Sequence, residues 1–459
     1  MPFPSFSNSS GSSDSSGTSG ASGASGNPPN LTSFLYVAFG AGFNLIDDVV
    51  TPPTPANPPV APNFYLLSEP HYLMNSAGVL QKKYPYLYKG GSSLTIEKAK
   101  WVFQDDLPDD TQVWVKATTN NQQALNPILA DVGIDHRTVT LVNAVFAGTL
   151  ETNTDFFDPL SIIFELTIGD PNDPDSYIAA GTSENPVYVC LSTGQPELIP
   201  ELYQTAVHLA CSNSGSNNRD QAVLNTWDLL SARNICKWNW NTMSFSTLLY
   251  YYRRYLLVPE TTGAQNGTNL AGLFSNIYNS GQCAPWVYLM QRALVINGAL
   301  PVIVQARPDG YIFFLIKNWT FIPASGVTNW LMKFGTDGYE MMPPPDPADQ
   351  TLYGDLQCTS GLAGQNSVPA FWPSQKVFSV HQILRYRDSN NVDTYYDPSY
   401  GETYNSGVAN GVPYSAEDNF QAKVVAGFGT LVPDQPRQLV VQKPTGLAIA
   451  FDPTAPPIP

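Results

Sequence analysis

Charge is scarce in this 459-residue chain. Asp, Glu, Lys and Arg together make up 13% of it, about half the usual share. The 22 basic residues form no run, and 38 acids outweigh them for a net charge of -16. A chain without a basic patch is not expected to bind nucleic acid or an anionic membrane surface. Long apolar stretches are missing too. No window reaches the 18 or so uninterrupted residues that a membrane span needs, so no membrane partner is expected. The start, "MPFPSFSNSSGSSDSSG", has neither a basic region nor an apolar one, so no secretory signal is read there. The compartment stays open: cytoplasmic by default, with surface display or secretion as alternatives.

Histidine and cysteine are few. The four histidines are His71, His136, His208 and His381, which narrows any imidazole chemistry to those positions. The five cysteines, Cys190, Cys211, Cys236, Cys283 and Cys358, contain no C-x-x-C pair, which argues against a zinc ribbon. Their odd number leaves one thiol over within a single chain. His208 and Cys211 lie three apart on one helix face, half of a metal site with no second pair nearby, and the expectation is two core side chains. The acidic turns "QDDLPDDT" and "GDPNDPDS" lack the closing Glu of a calcium loop. No metal and no organic cofactor is expected.

What the chain has in quantity is Pro (40), Gly (34) and aromatic residues (12%), a mixture suited to β-rich domains. Residues 1–33 read as a disordered Ser/Gly-rich tail. Residues 34–83 read as a Pro-rich connecting segment, whose apolar start, "LTSFLYVAFGAGFNLIDDVV", is expected to form a strand or two packed on a neighbour. Residues 84–195 alternate apolar and polar in runs such as "SLTIEKAKWVF" and "TQVWVKATT", predicting an antiparallel, immunoglobulin-like β-sandwich. From about residue 196 to 430 the period changes, with helices in "PELIPELYQTAVHLAC" and "RDQAVLNTWDLLSA". A loop-rich stretch fills about 320–375. Residues 431–459 hold a last strand and a Pro-rich tail.

One segment poses a chemical question. "SGQCAPW", residues 280–286, opens the very apolar run "VYLMQRALVINGALPVIVQA". Pro285 suits a first helical turn, and Gly298 followed by Pro301 suits a helix end. Cys283 therefore sits at a helix mouth, where unpaired N–H groups and the dipole favour a thiolate. The same N–H groups could steady an oxyanion. A small packing residue, or a half-cystine paired with Cys190, Cys211, Cys236 or Cys358, are the other readings. A second segment, "VFSVHQILRYRDSNNVDTYYDPSYG", reads as a hairpin turning at Asp388-Ser389-Asn390. Centred on Ser389, that register sets Arg385 against Asp393, Ile383 against Tyr395, and His381 against Asp397. Side chains so opposed have Cβ atoms about 5 Å apart, and a carboxylate beside an imidazole is the base-and-orienter half of a triad.

Taken together, "GQC" before an apolar helix ending "GALPVIVQA", a strand His, and "YYDPSYG" resemble the transglutaminase-like superfamily of thiol enzymes over about residues 220–405. The resemblance implies an α+β fold, with a papain-like core of helices packed on an antiparallel sheet behind the β-sandwich. It also implies a Cys-His-Asp triad of Cys283, His381 and Asp397. Residues 320–375 would be an insertion, and Gln382 follows His381 where Ala is frequent in the family. Family members often use an aromatic or amide side chain as an oxyanion donor; Trp238, Trp240 and Gln282 are the candidates, and spacing does not choose among them. The expected activity is acyl transfer on an amide of a peptide or protein through a thioester. Hydrolysis is favoured, with protein cross-linking open. The alternative is a non-catalytic surface or scaffold protein on the same fold.

Overall fold

A computed structural model describes residues 31–48, 70–239, 244–251, 270–274, 280–281, 283–317, 330–333, 364–365, 377–432, 435–442 and 446–453. The structure is mixed α+β and dominated by sheet. Eleven strands come first: β1 (Leu31–Gly40), β2 (Phe43–Asn44), β3 (Tyr72–Met74), β4 (Leu80–Lys83), β5 (Tyr86–Lys89), β6 (Thr95–Phe103), β7 (Val113–Thr119), β8 (Ala124–Val132), β9 (Thr138–Val145), β10 (Asp155–Thr167) and β11 (Ile178–Cys190). They form one sheet in the order β2-β5-β11-β10-β7-β8-β9-β6-β1-β3-β4. The alternation legible in the sequence does the sorting. Ala99, Trp101 and Phe103 of β6 and Val113, Val115 and Ala117 of β7 share one apolar core, as period-two patterning requires, and Ile96 joins it across a break in that alternation at Glu97 and Lys98, where the β1–β6 pairing shifts register. The sheet curls so that its halves face each other across that core, where Phe34, Trp101 and Phe164 meet ring to ring at 5.3–5.7 Å. Trp101 Nε1 donates to the Ala180 carbonyl of β11 at 2.8 Å, fixing the two halves together. Two features depart from the expected sandwich. β5 and β11 pair in parallel, and the segment read as a connector supplies β2 to β4 and most of β1, whose first three residues, Leu31 to Ser33, come from the stretch read as a disordered tail; β1 lies between β6 and β3.

The second part holds α1 (Gln204–Cys211), α2 (Arg219–Ser231), β12 (Cys236–Asn239), β13 (Ser244–Leu248), β14 (Tyr250–Tyr251), α3 (Leu270–Leu273), β15 (Ser280–Gly281), α4 (Cys283–Ile296), β16 (Val302–Pro308), β17 (Phe313–Ile316), β18 (Trp330–Lys333), β19 (Val377–Phe378), β20 (His381–Arg387), β21 (Asp393–Asp397), β22 (Glu402–Tyr404), β23 (Gly407–Ala409), β24 (Val412–Tyr414), α5 (Ala416–Val424), β25 (Val425–Val432), β26 (Gln435–Gln442) and β27 (Ile449–Pro453). Two five-stranded antiparallel sheets result, β22-β21-β20-β16-β27 and β18-β26-β25-β17-β19. The run "SFSTLLYYYRRYLL" supplies strands β13 and β14, its remainder lying outside the described residues. Much of the stretch 320–375, including Cys358, also lies outside them. The strand expected after residue 431 is present twice: β26 continues one sheet and β27 pairs with β16 of the other.

Helix α4 is the pillar of this half. Trp286, Val287, Leu289, Met290, Ala293, Leu294 and Ile296 are all buried, the pattern of a helix enclosed on most sides. It packs on α1, α2, α3 and β20. Its end is closed as the sequence implies. Gly298 adopts φ +76°, the left-handed cap position, while Gly298 N donates to Val295 O and Ala299 N to Leu294 O. Asn297 then ties the end down: its Oδ1 accepts from Leu191 N at 3.1 Å and its Nδ2 donates to Ala210 O at 2.7 Å. Leu45, Ile46, Leu87, Tyr188 and Cys190 from the curled sheet share one continuous core with α1 and α4.

A buried charge cluster joins the halves. Asp48 accepts from Thr205 N at 3.1 Å and from Thr205 Oγ1 at 2.5 Å, serving the open start of α1. Burial pushes the Asp48 carboxyl up to about 7 against those hydrogen bonds. Burial also pushes Lys237 down to about 8, against the pull of Asp48 and Asp47. Lys237 Nζ donates to the Phe274 carbonyl at 2.5 Å. Lys237→Met is therefore expected to destabilise the protein most at about pH 7.5, between the two values, where Asp48 has largely ionised and Lys237 is still largely charged. The loss should shrink at pH 6, where Asp48 takes up a proton, and largely vanish with Asp48→Asn alongside. Urea unfolding of the four-member cycle at both pH values checks this; a loss independent of pH would exclude it.

Candidate active site

Three elements deliver the site. Cys283 is the first residue of α4, His381 the first of β20, and Asp397 the last of β21. The approach to Cys283 is set by β15, which runs parallel to β14 and pairs Gly281 with Tyr251. Gly281 has no room for a side chain, since a Cβ there would stand 2.7 Å from Pro285 Cγ.

His381 and Asp397 meet directly. His381 Nε2 and Asp397 Oδ2 are 2.8 Å apart. The register that brings them together differs from the expected one. Leu384 pairs with Tyr396, Arg385 with Tyr395 and Arg387 with Asp393, two residues away from a turn centred on Ser389. The loop runs from Asp388 to Val392, not three residues. The Asp388 carboxylate accepts from Asn390 N and Val392 N, and Asn391, not Asn390, takes the left-handed position at φ +63°. Arg387, not Arg385, then forks onto Asp393 at 2.7–2.8 Å. A shift of two keeps every side chain on its face, so His381 and Asp397 remain neighbours as a diagonal pair.

The carboxylate is fully occupied. Oδ2 also accepts from the Tyr404 hydroxyl at 3.0 Å, and Oδ1 from Ser399 N and Tyr400 N at 3.1 and 3.4 Å. All its neighbours are donors, so Nε2 of the imidazole carries a proton and donates it. Phe378, Tyr400 and Phe420 box the ring at centroid distances of 5.5, 5.3 and 6.1 Å, which leaves it little freedom to turn. The other nitrogen, Nδ1, is buried without a fully formed hydrogen bond. Cys283 lies close enough to favour the charged form of the ring. Burial works to lower the His381 pKa; the Asp397 charge and hydrogen bond, helped by Cys283, overcome it and push it up to about 10. Exposure divides the roles: the thiol residue is 8% exposed, His381 1% and Asp397 0%. Of the three, Cys283 is the least deeply buried.

Two phenols stand beside the triad. Tyr400 OH donates to Tyr251 OH at 3.4 Å, their rings edge to face at 5.1 Å. Burial raises both well above the usual phenol range, and Cys283 and Asp397 add to the effect on each, so both remain protonated donors. The candidate oxyanion donors fare differently. Gln282 and Trp240 lie outside the described residues. Trp238 is placed in the β12–β13 hairpin with its ring against Phe245 at 5.2 Å. Tyr251, Tyr400 and Tyr404 were not singled out from sequence, although Tyr400 and Tyr404 sit in the same "YYDPSYGETY" stretch as Asp397.

Of the other cysteines Cys358 lies outside the described residues, and Cys190 and Cys211 are buried in the core. Cys190, Cys211, Cys236 and Cys283 are all unpaired. His208 bonds Tyr188 OH at 3.1 Å and stacks on Phe245, and burial pushes its pKa down to about 3. Among the described residues no three His, Cys, Asp or Glu side chains gather as metal ligands, and no helix is long and apolar enough to cross a membrane. In the acidic turn "GDPNDPDS" Asp170 accepts from Asn172 N and Asp173 from Asp175 N, while in "QDDLPDDT" Asp106 pairs with Arg137 and Asp109 faces His136. No model of a known protein family matches the chain, and no curated protein matches it either.

Proposed function

We propose that the protein is a transglutaminase-like thiol enzyme that transfers acyl groups from amide bonds of a peptide or protein, with hydrolysis as the main outcome. In this reading the curled sheet is an immunoglobulin-like module and the second half a papain-like core. The observation that carries the proposal is the His381–Asp397 bond, which occupies Nε2 of a boxed imidazole and leaves Nδ1 without a hydrogen-bond partner, in a ring whose charge Cys283 at the start of α4 favours. His381 rests as an imidazolium holding the Cys283 proton on Nδ1, and the thiolate adds to the amide carbonyl. The oxyanion is steadied by helix-mouth N–H groups and the Tyr251 hydroxyl. His381 returns the proton to the leaving amine as the C–N bond breaks, and a thioester remains. Water, activated by His381, releases the acid and restores the thiol; an amine in its place gives cross-linking. Asp397 holds the tautomer and balances the imidazolium throughout. No step requires a cofactor.

A non-catalytic scaffold is the second reading, favoured by the slight exposure of Cys283. Alkylation separates the two. Iodoacetamide at pH 6, with peptide mapping, should modify Cys283 rapidly in wild type and slowly in His381→Gln. Equal, slow labelling in both would leave the scaffold.

A further inference from the structure

One buried amide ties together three segments that flank the site. Gln365 is 0% exposed and comes from the stretch that sequence resemblance marks as an insertion. Its backbone N donates to Ser399 O at 2.8 Å, and its backbone carbonyl accepts from Tyr251 N at 2.8 Å. Its side-chain Nε2 donates both hydrogens, to Leu230 O at 2.6 Å and Pro398 O at 2.9 Å. The residue therefore clasps the end of α2, the strand of Tyr251, and the Asp397–Tyr400 turn. That turn supplies two of the four donors to the Asp397 carboxylate. Gly364 completes the clasp, since a Cβ at that position would lie 2.5 Å from Tyr251 Cδ1.

Resting on the acyl-transfer reading, we infer that Gln365 is a positioning residue of the site, holding the Tyr251 phenol and the Asp397 turn at a fixed separation on either side of Cys283. The 320–375 stretch is thereby a working part of the enzyme through Gly364 and Gln365. Nothing about the residue is chemical. It touches neither sulfur nor imidazole, and its amide cannot titrate. Its effect is geometric: loss of the two side-chain bonds takes from Pro398 O the donor that Gln365 supplies and leaves Leu230 O to the backbone N–H groups that follow α2 alone, and the turn shifts to find water.

The test uses the full chain with Gln365→Met, which keeps the volume and removes the donors. A displacement of about 1 Å at a catalytic group costs about 100-fold. Gln365→Met is thus expected to lower kcat on an amide substrate by about 10- to 100-fold with KM little changed, and to slow Cys283 alkylation with an altered pH profile. Asn297→Ala is the structural control. It breaks a buried two-bond clamp of the same kind between α4, Leu191 and Ala210, and should lower the melting temperature without altering the pH profile. Should Gln365→Met fail to fold, Gly364→Ala probes the clasp from the Tyr251 side, with the same loss of kcat expected. A reactive wild type with an unchanged Gln365→Met, or a loss no larger than its unfolded fraction explains, overturns this inference and leaves the acyl-transfer reading standing. A wild-type thiol that does not react overturns both.

Discussion

Cys283→Ala is expected to abolish amide turnover, by about a million-fold where the thiol is the nucleophile, while the protein keeps its fold. The change removes one sulfur from a helix N-terminus and leaves the apolar face of α4 intact. Its cost in stability should be about 1 kcal/mol. The other described thiols cannot substitute. Burial pushes Cys190 up to about 12, and it raises Cys211 and Cys236 as well, so each makes little thiolate near neutrality. A peptide library read by mass spectrometry, with wild type and Cys283→Ala at equal concentration, provides the measurement. Turnover that survives in the variant removes the nucleophile assignment outright. Cys283→Ser adds a finer readout: a hydroxyl in the same place should form an ester so slowly that the variant binds substrate without releasing product.

Asp397→Asn carries the second large effect, a fall in kcat of about 10,000-fold. The amide has two ways to sit and both are poor. With its oxygen toward His381 and Tyr404, its NH2 confronts Ser399 N and Tyr400 N, donor against donor. Flipped, the NH2 faces His381 Nε2 and drives the ring proton to Nδ1, where the thiol proton has to go. Stability should respond with a definite sign. The folded His381 pKa, about 10, lies above the unfolded value of about 6.5. The ion pair therefore stabilises the wild type fully below about pH 6.5, and that stability is lost as pH rises through about 10. In Asp397→Asn burial dominates and the window disappears. Melting temperatures across pH 5–10 should show the two proteins furthest apart at the acid end of that window and converging toward its alkaline end. Parallel curves would contradict the coupling of His381 to Asp397.

Much of this site was legible, and the reasons differ by residue. The start and stop of α4 are local signals. A Cys-Ala-Pro opening and a Gly298 end need no tertiary information, because a proline in the first turn and a left-handed cap are properties of the backbone itself. The face shared by His381 and Asp397 was legible because strand side chains alternate strictly. Their pairing was not, because it hung on a loop whose length is set by the Asp388 carboxylate gripping two backbone N–H groups. Helix α5 had a signal that went unread: Ser415 and Asp418 cap each other reciprocally. Tyr251 and Gln365 could not be found this way. They reach the site through main-chain bonds to residues remote in sequence, and such bonds place no demand on side-chain pattern. Trp238 drew notice as a large aromatic, yet its visible role is to fill space beside Phe245.

The uninterrupted interior beneath Cys283 gives the boundary near residue 195 a limited meaning. It divides the chain, but not the packed solid. Leu45, Tyr188 and Cys190 are floorboards under the helix that presents the thiol, and Leu191 is nailed to its far end through Asn297. Grafting the second half onto a foreign β-module would therefore mean relaying that floor, and inheritance of this protein by shuffling would have to carry both halves as a single cassette.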